Sequence, residues 1–139
     1  MSALLDSSVL IAALAPDEAR HAESLTLLRQ GGHAIYAHAI LETFSTLTGG
    51  RLGVKVDADL AAKLLHETIL PRVHVVELGS AELMDALGQA RRDGVRGGAV
   101  YDFMHLVAAR KAGADIFYTI NFSDFQHLSR EGDPEVRCP

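Results

Sequence analysis

Short, wholly apolar runs alternate with helical repeats along this chain, and their order is the first structural information it yields. Ala3-Leu4-Leu5 reads as a strand running straight into Asp6, and Ser7 to Leu14 as a short buried helix stopped near Pro16. From Asp17 to about Gln30, Ala22, Leu25 and Leu28 recur at helical spacing until Gly31-Gly32 ends the pattern. Ala34-Ile35-Tyr36 predicts a second strand. The segment His38 to Thr48, with Ile40, Leu41, Phe44 and Leu47, predicts a helix closed by Gly49-Gly50. A further helix opens at Asp57, with Asp57 or Asp59 as its cap and Leu60, Leu64 and Leu65 facing inward, and is expected to end at Pro71.

Val73 to Val76 then reads as a third strand. Gly79-Ser80 opens a helix carrying Leu83, Leu87 and Ala90, whose last turn is expected at Arg91-Arg92, with Gly94 as its stop. Ala99 to Ala112 is almost continuously apolar and predicts a buried central helix ended by Gly113. Ile116-Phe117-Tyr118 forms a fourth strand, a helical turn is expected around Asp124 to Leu128, and Glu135-Val136-Arg137 suits an edge strand. Strands separated by helices, with no hairpin signal, require right-handed crossovers. The expectation is therefore a three-layer α/β/α sandwich around a mostly parallel sheet, one domain over residues 1–139.

Composition narrows the setting. At 139 residues, 48% hydrophobic and 22% charged, the chain is long enough for one buried core and too apolar for extended disorder. No apolar run approaches the roughly 20 residues a membrane helix needs, and no secretory leader is visible at Met1-Ser2-Ala3. The one cysteine, Cys138, has no intramolecular partner, which suits a reducing compartment; the expected location is the cytoplasm. A net charge of −5 argues against indiscriminate capture of nucleic acid. It remains compatible with RNA if cations offset a cluster of carboxylates.

Open parallel sheets bind ligands at the carboxyl ends of their strands. Asp6 follows the first strand, Glu42 lies in the helix entered from the second, and Asn121 and Asp124 follow the fourth. Asp102 makes a separate case. It stands in the first turn of an almost wholly apolar helix, where an ionised carboxylate is costly unless paired or bound to a cation, and hard oxygen donors suit Mg²⁺ or Mn²⁺.

The segments Leu4-Leu5-Asp6-Ser7-Ser8-Val9-Leu10, Glu42, Ala99-Val100-Tyr101-Asp102-Phe103-Met104-His105-Leu106 and Tyr118-Thr119-Ile120-Asn121-Phe122-Ser123-Asp124-Phe125 together resemble the PIN domain, in order and spacing, over essentially the whole chain. The resemblance implies an acidic pocket for one or two divalent ions, Mg²⁺ or Mn²⁺, formed by Asp6, Glu42, Asp102 and Asp124. Ser8 is implied to hydrogen-bond near the metal and Asn121 to assist from the rim, with Asn121 and Asp124 as alternatives for the fourth position. The implied activity is endoribonuclease cleavage by activated water, leaving 5′-phosphate and 3′-hydroxyl ends. Compact PIN proteins are typically VapC-like toxins, so the resemblance also implies a homodimer and a small VapB-like antitoxin whose C-terminal segment enters the acidic groove.

Other residues carry weaker signals. Arg91, Arg92 and Arg96 precede the apolar helix and Arg51 and Lys55 follow the Glu42 helix; they are candidate contacts for RNA phosphate or ordinary solvated charge. Tyr101 and Phe122 suit either base stacking or the core. His105 shares a helix face with Asp102 and reads as packed or supporting rather than as a transition-metal ligand, and His38 lacks a second histidine for zinc. Leu10 to Leu14 and Leu60 to Leu70 serve equally as partner surface or core. A PIN-fold binding or scaffold protein without cleavage is the alternative function. A phosphotransfer domain fits less well, because Asp6-Ser7-Ser8 lacks a second aspartate and no glycine-rich phosphate loop exists.

Overall fold

The computed structural model describes residues 2–139. Strands β1 (Ala3–Leu5), β2 (His33–Tyr36), β3 (Val73–Val76), β4 (Ile116–Tyr118) and β5 (Glu135–Arg137) form one sheet in the order β3-β2-β1-β4-β5, and every neighbouring pair is parallel. The expected sandwich is present, with a sheet parallel throughout. Its helices are α1 (Ser7–Leu14), α2 (His21–Gln30), α3 (His38–Thr48), α4 (Ala58–Leu64), α5 (Ser80–Gly88), α6 (Ala99–Ala112) and α7 (Phe122–Gln126). No helix among the described residues is long and apolar enough to cross a membrane.

Strand alternation explains the two cores. Leu4, Ala34, Val76 and Phe117 pack with Ala86, Phe103, Leu106 and Phe125 beneath α5, α6 and α7. Leu5 and Ile35 face the other way, onto Val9 and Leu10 of α1, Leu28 of α2 and Ala39 of α3. A strand covered on both faces has no position for a polar side chain, which is why β1 reads as an uninterrupted apolar run.

Three boundaries depart from expectation. α2 starts at His21 rather than Asp17, because Arg20 adopts a left-handed conformation (φ 66°) that interrupts any helix entering from Asp17. Pro71 does not terminate the helix begun at Ala58. That helix passes into a π turn (Leu65–Ile69) and then a 3₁₀ turn (Leu70–Arg72) with Pro71 near its start, where no backbone N–H is needed. α5 stops at Gly88, and turns carry the chain past Arg91-Arg92 to Gly94. Asp57 occupies the cap position of α4 without a side-chain cap bond.

The sheet order matters for function. β1 connects to β2 on one side and has β4 on the other, so the chain reverses its direction of winding between β1 and β4, and a crevice opens beyond their carboxyl ends. Phe117, fully buried on β4 against Phe125 (ring centroids 4.6 Å apart), supports that edge. Phe117→Ala should cost about 3–5 kcal/mol in urea unfolding.

Candidate active site

Asp6 is the first residue beyond β1 and the N-cap of α1. Its Oδ1 accepts from the Val9 backbone N–H at 3.3 Å and from Ser8 Oγ, while Oδ2 accepts from Thr119 Oγ1 at 2.7 Å. Ser8 Oγ in turn accepts the Ile120 N–H, and Thr119 Oγ1 the Asn121 N–H, each at 3.0 Å. The turns after β1 and β4 are thereby stitched together around one carboxylate that is only 3% exposed. Burial pushes the Asp6 carboxyl above its usual range, against the opposing effects of His105 and of these hydrogen bonds.

α3 and α6 supply the other two acids. Glu42 sits mid-helix on α3, and its Oε1 meets His105 Nε2 of α6 at 2.5 Å and lies 3.4 Å from His38 Nδ1. Burial alone raises its carboxyl, but the hydrogen bond and charge of His105, with a smaller contribution from His38, hold it below the ordinary range. Asp102, half-buried in the first turn of α6, is raised by burial first; His105 pulls it back, and the charges of Asp6, Glu42 and Asp124 push it up again. These three acids and Asp102 therefore share one electrostatic field.

Ser8, Glu42, Asp102 and Asn121 line a single cleft of about 460 Å³. Arg51 lines it as well; Arg91, Arg92 and Arg96 do not. Arg92 instead bonds Gln89 at 2.7 Å and approaches Asp93, on the turn that follows α5. Asp124 stands exposed on the five-residue helix α7 and is not part of the cleft wall, so Asn121 is the nearer of the two. Tyr101 is exposed and stacks on His38 (centroids 5.6 Å, planes 12° apart), and Phe122 is also exposed. Leu10 to Ala13 are core, as are Leu65 and Ile69; of the large apolar side chains in the expected partner surfaces, Leu60 is the well exposed one.

Thr119 is the residue sequence reasoning missed. Its signal was a hydroxyl placed directly after an apolar strand and two before Asn121, but its partner is Asp6, 113 positions away.

The donor set consists of hard carboxylate oxygens, and the mutual repulsion that raises Asp102 is what a divalent cation cancels. The residues fit such an ion chemically. Among the described residues no three His, Cys, Asp or Glu side chains already stand grouped closely enough to enclose one.

Fold and cleft together define an α/β protein with a cleft lined by Glu42 and Asp102 at the point where its sheet reverses. The PIN domain profile matches residues 3–130, and the chain belongs to the PIN domain family. No curated protein matches it by sequence. Among solved structures it is similar to Mycobacterium tuberculosis VapC20, a sarcin-ricin loop cleaving toxin, with 23% identity, 97% of this chain and 98% of that one covered, and a TM-score of 0.68. It is also similar to Rickettsia felis VapBC2 bound to a promoter DNA fragment (13% identity, 100% and 99% covered, TM-score 0.69). Neisseria gonorrhoeae FitAcB matches with 17% identity, 96% and 95% coverage and a TM-score of 0.62.

Two outcomes follow from this geometry. Thr119→Val leaves Asp6 Oδ2 and the Asn121 N–H without their partner and should cost about 1–3 kcal/mol in chemical unfolding. Asp102 titrates higher folded than unfolded. Between its ordinary value of 3.8 and the raised one, the folded chain binds more protons, so stability falls as pH climbs through that window, and the penalty is complete above it. Asp102→Asn should therefore melt above wild type at pH 7 without divalent ions, and the gain should vanish as pH falls to the ordinary carboxylate value. A variant that melts lower at pH 7 would contradict this electrostatic account.

Proposed function

We propose that this chain is a metal-dependent endoribonuclease, the VapC-like toxin of a toxin–antitoxin pair. The observation that carries the reading is that Glu42 of α3 and Asp102 of α6 line one cleft at the sheet's reversal point, and that Asp102 also feels the charge of the buried Asp6 at the end of β1. PIN family membership and the fold shared with VapC and FitAB structures support it.

Asp6, Glu42 and Asp102 would hold Mg²⁺ or Mn²⁺, with Asn121 at the wall and Asp124 contributing field from outside it. The chemistry such an ion supplies when bound is acidification of water and neutralisation of phosphate charge. The protein's own part is positional. Ser8 and Thr119 fix Asp6, the β4–α7 turn presents Asn121, and Arg51 offers a cation to an entering RNA phosphate. Attack by water on the phosphodiester leaves a 5′-phosphate and a 3′-hydroxyl.

The proposed partners are RNA, a second copy of the chain, and a VapB-like antitoxin; the VapBC and FitAB complexes among the structural relatives support the last. A basic side chain on the antitoxin's C-terminal segment would complement the cleft's acids. The lone Cys138, without a disulfide, accords with a cytoplasmic site of action.

The test is cleavage of defined RNAs in Mn²⁺ or Mg²⁺, with mapping of the product ends. Asp6→Asn and Asp102→Asn should each lower the rate on the order of 10²-fold or more, and chelation should abolish it. Undiminished cleavage by the doubly substituted protein would refute the site.

A further inference from the structure

Glu42 is tethered through one of its two oxygens. His105 Nε2 bonds Oε1 at 2.5 Å and His38 Nδ1 lies 3.4 Å from the same atom, while among the described residues no hydrogen bond reaches Oε2. The tether is rigid. His105 is 1% exposed, meets the Tyr36 ring edge-on at 5.6 Å, and rides on α6 one helical turn beyond Asp102. Among the described residues its buried Nδ1 has no partner and Glu42 is the ring's one hydrogen-bond partner, so the tautomer carrying hydrogen on Nε2 is the one that satisfies it.

Stability does not account for this arrangement. The Glu42 side chain is about a quarter exposed and has water available, whereas His105 leaves a polar nitrogen orphaned in a core that an apolar residue of similar size would fill without that cost. We infer that His105 is a positioning residue: it immobilises one oxygen of Glu42 so that the other is presented to the cleft for a divalent cation. α6 then delivers both a ligand, Asp102, and the group that orients a second ligand on another helix. The inference rests on the metal-dependent reading above.

Mn²⁺ binding to the full chain without RNA, measured by titration calorimetry alongside thermal unfolding, tests it. His105→Leu should weaken Mn²⁺ binding about 10- to 100-fold, the range seen when a group orienting a metal ligand is lost. His105→Gln, whose side-chain N–H₂ donates from nearly the place of Nε2, should recover most of the loss. In a Glu42→Gln background His105→Leu should have no further effect, since both act on one carboxylate. Should His105→Leu fail to fold, the more adaptable His105→Met gives the same donor-free comparison.

Unchanged affinity in the donor-free variant, or an equal loss with and without Glu42, overturns the positioning role. If Asp102→Asn abolishes Mn²⁺ binding while His105→Leu keeps it, the role is refuted and the nuclease reading stands. Absence of Mn²⁺ binding by the wild type overturns both.

Discussion

A carboxylate buried between two turns is the constraint around which this molecule is arranged. Asp6 accepts hydrogen bonds from Ser8 and Val9 on its own turn and from Thr119 on the other, so the turns leaving the paired strands β1 and β4 are tied to each other through one carboxylate. A charged group in that position is expensive in a low dielectric unless every lone pair is used. The local network offsets part of that cost for Asp6, whose carboxyl burial still raises, and, as a by-product, ties α1 and the turn carrying Asn121 to the same corner. Fold and site are therefore one problem at this corner, since Ser8, a donor to Asp6, also lines the cleft.

The remaining acids follow a different logic. Glu42 and Asp102 sit on helices that cross the cleft, where nothing in the backbone demands them. Asp102 is pushed up by burial and by three neighbouring acids, whereas Glu42 is pulled down by the imidazole beside it. Two carboxylates in one cleft thus differ in proton affinity because only one has a donor against it. Electrostatic repulsion of this kind is stored in the folded chain and is released only when positive charge enters, which couples occupancy of the cleft to stability.

Much of this was legible in the chain, for reasons specific to each part. β1, β4 and the centre of β2 announce themselves because strands covered on both faces must be apolar, and Asp6 and Asp102 stand out because they interrupt apolar segments. Arg20 gave no warning, since a left-handed non-glycine residue carries no mark in sequence. Pro71 misled because proline is prohibitive inside an α-helix and harmless at the start of a 3₁₀ turn. Gly88 ended α5 earlier than the basic pair Arg91-Arg92 suggested. In the site, Thr119 and the pairing of His105 with Glu42 were hidden because each joins residues from distant parts of the chain. Asp124 had the spacing of a ligand; it stands exposed on α7, and its charge reaches Asp102.

Charge distribution sets the terms on which the cleft meets RNA. The whole chain carries −5, and Arg51 is the one lysine or arginine lining the cleft among the described residues, while Arg91, Arg92 and Arg96 lie elsewhere. A polyanion approaching this surface meets like charge at the very place where chemistry is proposed, so attraction by protein cations alone is a poor basis for binding. A divalent ion held by these carboxylates would offset their charge and favour a phosphate beside them. A basic side chain from a protein partner would satisfy the acids equally well without any RNA present. On this account substrate and inhibitor would compete for one resource, the negative charge gathered at Asp6, Glu42 and Asp102, and a cleft with a fuller complement of arginines would give an inhibitor of that kind less to bind.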